Sequence, residues 1–128
     1  MRLYSHQGRK EVKMKALGYH LIVECWDCQG ELNSCELVKK TLTEATRKAK
    51  VTLLELRTHH FNPHGVSGMA IVAESHFSVH TWPEYRYVAV DIFTCGEKTQ
   101  PGEALSVFRE AFKPRKMQVQ EIRRGVIL

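Results

Sequence analysis

A chain of 128 residues, 43% hydrophobic and 26% charged, describes one globular domain spanning 1–128, without room for a second independent core. No apolar run approaches the roughly 20 residues of a membrane helix, and the basic, polar opening MRLYSHQGRKEVKMK lacks the apolar stretch of a secretory signal, which points to the cytoplasm. The net charge of +5 raises nucleic acid as a partner, but a basic surface is more often simply solvated, so its distribution decides.

Residues 1–13 or so read as a flexible arm. Leu17 to Trp26 is apolar and β-rich and predicts a strand; Ser34 to Lys50 carries a serine cap and then Leu37, Val38 and Leu42 at helical spacing. Val51 to Phe61 alternates in part, Val66 to Glu74 is small and apolar, Ser75 to Thr81 reads as extended, and Tyr87 to Phe93 alternates again; Pro63, Gly65, Pro83 and Gly96 punctuate these strands. Pro101 to Phe112 predicts a second helix opened by its proline, and Met117 to Ile122 a last strand. The order β-α-β-β-β-β-α-β predicts an α+β, two-layer sandwich: a mainly antiparallel sheet with both helices on one face.

The four cysteines, Cys25, Cys28, Cys35 and Cys95, are expected to be reduced in a chain read as cytoplasmic. Cys25 and Cys28 form a CxxC with neither a second pair for zinc nor a helix to open, and read as chance spacing. His59, His60, His64, His76 and His80 are close in sequence but fit no metal-binding template, so no metal is expected.

Reactive side chains concentrate between Gly65 and Gly96, in GVSGMAIVAESHFSVHTWPEYRYVAVDIFTCG. From Gly65 to Glu97 four acids, Glu74, Glu84, Asp91 and Glu97, stand against one base, Arg86, so the segment suits a cationic ligand while the basic residues lie elsewhere. The Glu-Ser-His junction, the His-Thr-Trp-Pro-Glu run and the Phe-Thr-Cys-Gly turn occur in one order and spacing. With them the chain, from about Met14 to Arg124, closely resembles the prokaryotic S-adenosylmethionine decarboxylase proenzymes.

The resemblance implies a pyruvoyl-dependent lyase that cleaves its own Glu74–Ser75 bond into fragments 1–74 and 75–128, Ser75 becoming the covalent pyruvoyl cofactor. Ser75 Oγ attacks the Glu74 carbonyl to give an ester, which requires a donor for the oxyanion and a strained, positioned peptide. Ser67 matches the assisting hydroxyl. His80 matches the base that removes the Ser75 α-proton, so that the ester is eliminated and the remaining dehydroalanine hydrolyses to pyruvoyl and ammonia. The pyruvoyl keto group forms a Schiff base with substrate and serves as electron sink; Cys95 matches the proton donor to carbon. Phe61 corresponds to the adenine-stacking aromatic and Glu84 to the carboxylate that holds the ribose hydroxyls.

Ser75 and His80 also constrain one another. On one straight strand, five residues place them about 16 Å apart with side chains on opposite faces. Their pairing therefore needs a sharp bend or a second copy of the chain. The resemblance implies the second: a homodimer with Ser75 and Cys95 from one subunit and Phe61, Ser67, His80 and Glu84 from the other. The expected activity is decarboxylation of S-adenosylmethionine, supplying the aminopropyl donor for spermidine and polyamine synthesis. The same chemistry on arginine or ornithine, and a non-enzymatic nucleic-acid-binding module, are the rival readings. Two departures bear on the choice: Phe77 stands where an aliphatic residue is expected and follows the junction closely enough to reshape the pocket, and Arg86 stands where a small residue is expected.

Overall fold

The computed structural model describes Arg2–Leu3 and residues 15–127; of the arm read at about 1–13, the rest lies outside the described residues. The elements are β1 (Arg2–Leu3), β2 (Lys15–Cys28), α1 (Cys35–Lys48), β3 (Thr52–His60), β4 (Val66–Ala73), β5 (Ser75–Trp82), β6 (Tyr87–Thr94), α2 (Leu105–Phe112) and β7 (Pro114–Ile127). They form a seven-stranded sheet in the order β1-β7-β2-β6-β5-β4-β3, antiparallel at every pairing. This is the expected α+β sandwich.

Each central strand alternates. In β5 the buried residues are Phe77, Val79 and Thr81; in β6, Val88, Val90, Ile92 and Thr94; in β4, Val66, Gly68, Ala70 and Val72. These side chains meet α1 through Val38, Leu42 and Ala45, and α2 through Phe108 and Phe112, in one core. Fully burying a side chain such as Phe77 or Phe108 contributes about 1.5–3 kcal/mol. Helix α1 starts where its cap predicts, with the Leu37 N–H donating to Ser34 Oγ at 3.0 Å. It packs so closely on β4 that a Cβ at Gly68 would lie 2.5 Å from Val38 Cγ1, so only glycine fits there.

The second helix differs from its predicted span: Pro101–Ala104 is a 3-10 turn and the α-helix proper begins at Leu105, as is common at helix starts. Strands β2 and β7 run beyond their predicted ends because each supplies the other's ladder, from Lys15↔Ile127 to Cys28↔Pro114. Among the described residues no helix is long and apolar enough to cross a membrane.

The alternate side chains make up the sheet face that neither helix covers. Along it lie Ser67, Met69 and Ile71 of β4, His76, Ser78, His80 and Trp82 of β5, and Tyr87, Ala89, Asp91 and Phe93 of β6. Met69 and Ile71 are among its exposed apolar residues.

Candidate active site

Strands β4 and β5 form a hairpin in which Val72 pairs with Ser75, so Ala73 and Glu74 make up its whole loop. Two-residue loops favour Gly, Asn or Asp because they require positive φ; this one has none of them. The unusual conformation falls on Ser75 instead, at φ 120, a value that L-residues rarely adopt and that costs on the order of 1–3 kcal/mol. The Glu74–Ser75 bond thus sits at an exposed, strained tip.

Cys95 reaches this tip from β6. Ser75 pairs with Thr94, and the next residue turns back at Gly96, whose φ of 93 favours glycine. The Cys95 thiol donates to the Glu74 carbonyl oxygen at 3.2 Å and lies 3.7 Å from Ser75 Oγ and 3.8 Å from Glu74 Oε1. A hydroxyl, the carbonyl before it and a donor to that carbonyl's oxygen are the elements of an internal acyl shift.

A second cluster occupies the far end of the same hairpin. Ser67 lies directly opposite His80, and Ser67 Oγ and His80 Nδ1 share a hydrogen bond of 2.6 Å. The His80 ring is 4.0 Å from Trp82 and 5.7 Å from Phe61, centroid to centroid, and Trp82 continues to Tyr87 and Trp26. Glu84, in the 3-10 turn Pro83–Tyr85, pairs with His64 at 3.2 Å. The structure therefore joins Phe61, Ser67 and His80 at one end and Glu74, Ser75 and Cys95 at the other. Ser75 and His80 stay five residues apart on β5, about 16 Å by strand rise.

Between these ends the uncovered face holds a cleft of about 490 Å³ lined by residues including Arg57, His59, Ser67, Met69, His80 and Asp91. Asp91 is held there by His20, 2.8 Å away, and by the Ser78 hydroxyl, which donates at 3.2 Å. Of the central acids read as suited to a cation, Glu84 and Asp91 thus already have histidine partners. The five histidines that cluster in sequence disperse to different neighbours: His59 to Phe61, His60 to Asn33, His64 to Glu84, His76 to Phe93 and His80 to Ser67.

Phe77 does not reach this cleft. It is wholly buried on the helix side, between Ala70 and Ile92, turned away from this cleft by strand alternation. Arg86 occupies a left-handed position, φ 49, which explains the small residue expected there. Cys25 and Cys28 lie on β2, buried and unbridged. Burial, and then each other's charge at Cys25, pushes Cys25 up to about 12; burial pushes Cys28 up to about 11.

Sequence reasoning missed the links that hold the second cluster. Asn33 Oδ1 accepts from the Gly65 N–H at 2.8 Å and lies 3.0 Å from His60 Nε2; the Thr81 hydroxyl donates to the Leu32 carbonyl and accepts from the Val66 N–H. The threonine's buried strand position was a usable signal, whereas Asn33 is 32 residues from Gly65 and no local pattern connects them.

The family model described as S-adenosylmethionine decarboxylase matches residues 19–125. A relative from Methanococcus aeolicus, named S-adenosylmethionine decarboxylase proenzyme, is 50% identical over 113 residues, 88% of this chain and 97% of the relative. A relative of the same name from Thermomicrobium roseum is 47% identical over 116 residues, 90% and 99% of the two chains. The crystal structure of the adenosylmethionine decarboxylase from Aquifex aeolicus is similar with a TM-score of 0.82 at 29% identity, covering 89% of this chain and 95% of that one.

Proposed function

The chain belongs to the S-adenosylmethionine decarboxylase family, and from that premise we propose that it cleaves itself at Glu74–Ser75 and decarboxylates S-adenosylmethionine with the pyruvoyl group so formed. The observation that carries the reading is the hairpin tip, where a strained Ser75, the Glu74 carbonyl and the Cys95 thiol meet.

In maturation Ser75 Oγ adds to the Glu74 carbonyl carbon, the C–N bond breaks and an ester forms. The Cys95 S–H, already directed at the Glu74 oxygen, stabilises charge developing there. His80 Nε2, the ring nitrogen opposite the one bonded to Ser67, takes the Ser75 α-proton, the α-carboxylate of Glu74 leaves from Cβ, and water releases the nitrogen as ammonia. Ser67, bonded to His80, orients the ring. The pyruvoyl group supplies an electron sink for the electrons left by departing carbon dioxide. Cys95 Sγ–H returns a proton to carbon, Phe61 stacks on the adenine and Glu84 receives the ribose hydroxyls.

The site is read as shared between two copies. The uncovered sheet face bears Ser67, His80 and the exposed Met69 and Ile71, and a second copy covering it could bring His80 to the other chain's Ser75. The free thiols fit a cytoplasmic setting.

The test is mass spectrometry of the purified chain under denaturing conditions, together with carbon dioxide release from labelled S-adenosylmethionine, arginine and ornithine side by side. Wild type is expected as fragments 1–74 and 75–128, the second blocked by pyruvoyl, with release from S-adenosylmethionine; Ser75→Ala is expected whole and inactive. An intact wild-type chain after prolonged incubation overturns the reading. Before denaturation the fragments are expected to stay together, because cutting the hairpin tip leaves the β4–β5 ladder in place.

A further inference from the structure

Phe61 and Glu84 lie on separate turns, and the contact joining those turns is made by a residue to which the chemistry above gives no part. The first turn, from Phe61 to Gly65, is closed by the Phe61 N–H donating to the Gly65 carbonyl at 2.8 Å. It is tied to the loop before α1 by the Gly65 N–H donating to Asn33 Oδ1 at 2.8 Å. The second, Pro83–Tyr85, is closed by the Arg86 N–H donating to the Pro83 carbonyl. His64 Nε2 crosses from the first to Glu84 Oε1 on the second at 3.2 Å, both side chains being about 40% exposed.

We propose that His64 is a positioning residue for nucleoside recognition: it holds the Glu84 carboxylate in the orientation that receives the ribose hydroxyls. This rests on the reading of Glu84 as the ribose carboxylate. A carboxylate accepts at both oxygens, so one can be held by His64 while the other serves the ligand. Fixing it beforehand removes part of the ordering cost of binding. An ion pair this exposed is individually weak, so the effect is modest and falls on affinity alone. The partner of His64 is Glu84, to which the reading above gives ribose binding and no bond-breaking or proton-transfer step, so neither self-cleavage nor turnover at saturation is expected to depend on His64.

The experiment compares the self-processed full-length protein with His64→Ala, His64→Gln, Glu84→Gln and the double variant His64→Ala/Glu84→Gln. KM and kcat are measured for S-adenosylmethionine, and calorimetry gives Kd for 5′-methylthioadenosine and for its 2′,3′-dideoxy analogue. Mass spectrometry checks that each variant has cleaved. His64→Ala is expected to raise KM and the Kd of methylthioadenosine about two- to five-fold, with kcat unchanged. His64→Gln, whose amide can donate a hydrogen bond to Glu84, is expected to recover most of the loss. In the Glu84→Gln background His64→Ala should add nothing, and the dideoxy probe should be indifferent to His64. If Glu84→Gln itself leaves binding unchanged, the ribose reading fails and the role of His64 with it. If Glu84→Gln weakens binding while His64→Ala does not, or the two losses add in full, the role of His64 is overturned and that of Glu84 stands.

Discussion

The Cys95 sulfur lies 3.2 Å from the Glu74 carbonyl oxygen and 3.7 Å from Ser75 Oγ, so one thiol attends both the bond to be cut and the residue to be converted. Cys95→Ala is expected to accumulate both fragments, more slowly than wild type because a donor to the Glu74 oxygen is gone, and then to turn over about 10²–10⁴-fold more slowly. Unguided protonation would also convert the pyruvoyl to alanine, seen as a mass shift at the start of fragment 75–128. Wild-type turnover in Cys95→Ala would reassign the proton donor.

The fold was legible where side chains alternate or repeat. Leu37, Val38 and Leu42 mark the packed face of α1, and the alternation from Tyr87 to Phe93 marks β6, by period alone. What the sequence conceals is pairing. Arg123, Arg124 and Gly125 have little strand character, and β7 extends through them because β2 lies alongside. Arg2–Leu3 becomes a strand only by joining β7 at Glu121 and Gln120. The same division holds in the site. The Glu-Ser-His junction and the Phe-Thr-Cys-Gly turn are local strings, but that Cys95 meets Glu74 follows from Ser75 pairing with Thr94. That His80 meets Ser67 follows from a register set by a two-residue loop. Arg86 shows the limit from the other side: a small residue was expected, and the reason, a left-handed backbone costing a bulky residue about 1–2 kcal/mol, is visible only in φ.

The buried CxxC predicts an alkaline limit to stability. Unfolded thiols ionise near 9.0, whereas Cys25 and Cys28 hold their protons up to about 12 and about 11, chiefly through burial. The native state therefore binds more protons than the unfolded state above pH 9 or so, and stability falls as pH rises from there through the native values, by up to about 1.4 kcal/mol per pH unit for each thiol. Below that window the contribution is complete and flat. Urea midpoints across the range are expected to fall steeply in wild type and less steeply in Cys25→Ala and Cys28→Ala. Tyr87, raised by burial and by Glu24, contributes in the same direction, and Tyr87→Phe separates its share. Equal slopes in wild type and both cysteine variants would refute the account.

His80 and Ser75 sit on one strand about 16 Å apart, and this makes subunit sharing testable with two defective chains. Ser75→Ala lacks the nucleophile and His80→Ala the base, so neither homodimer is expected to mature efficiently. Co-expression produces a heterodimer with two unlike sites. In one, the intact Ser75 of the His80→Ala chain is served by the intact His80 of the other chain; in the second, both groups are missing. Cleavage is therefore expected to return in the His80→Ala chain alone, identified by a tag, and to stop at one cut per heterodimer. If His80 acted within its own chain, mixing would rescue nothing, because the chain that keeps Ser75 would still lack its histidine. A purified, co-folded heterodimer in which both chains stay whole would thus locate the base inside the subunit and require the β5 strand to bend, while leaving the chemistry at Glu74–Ser75 intact.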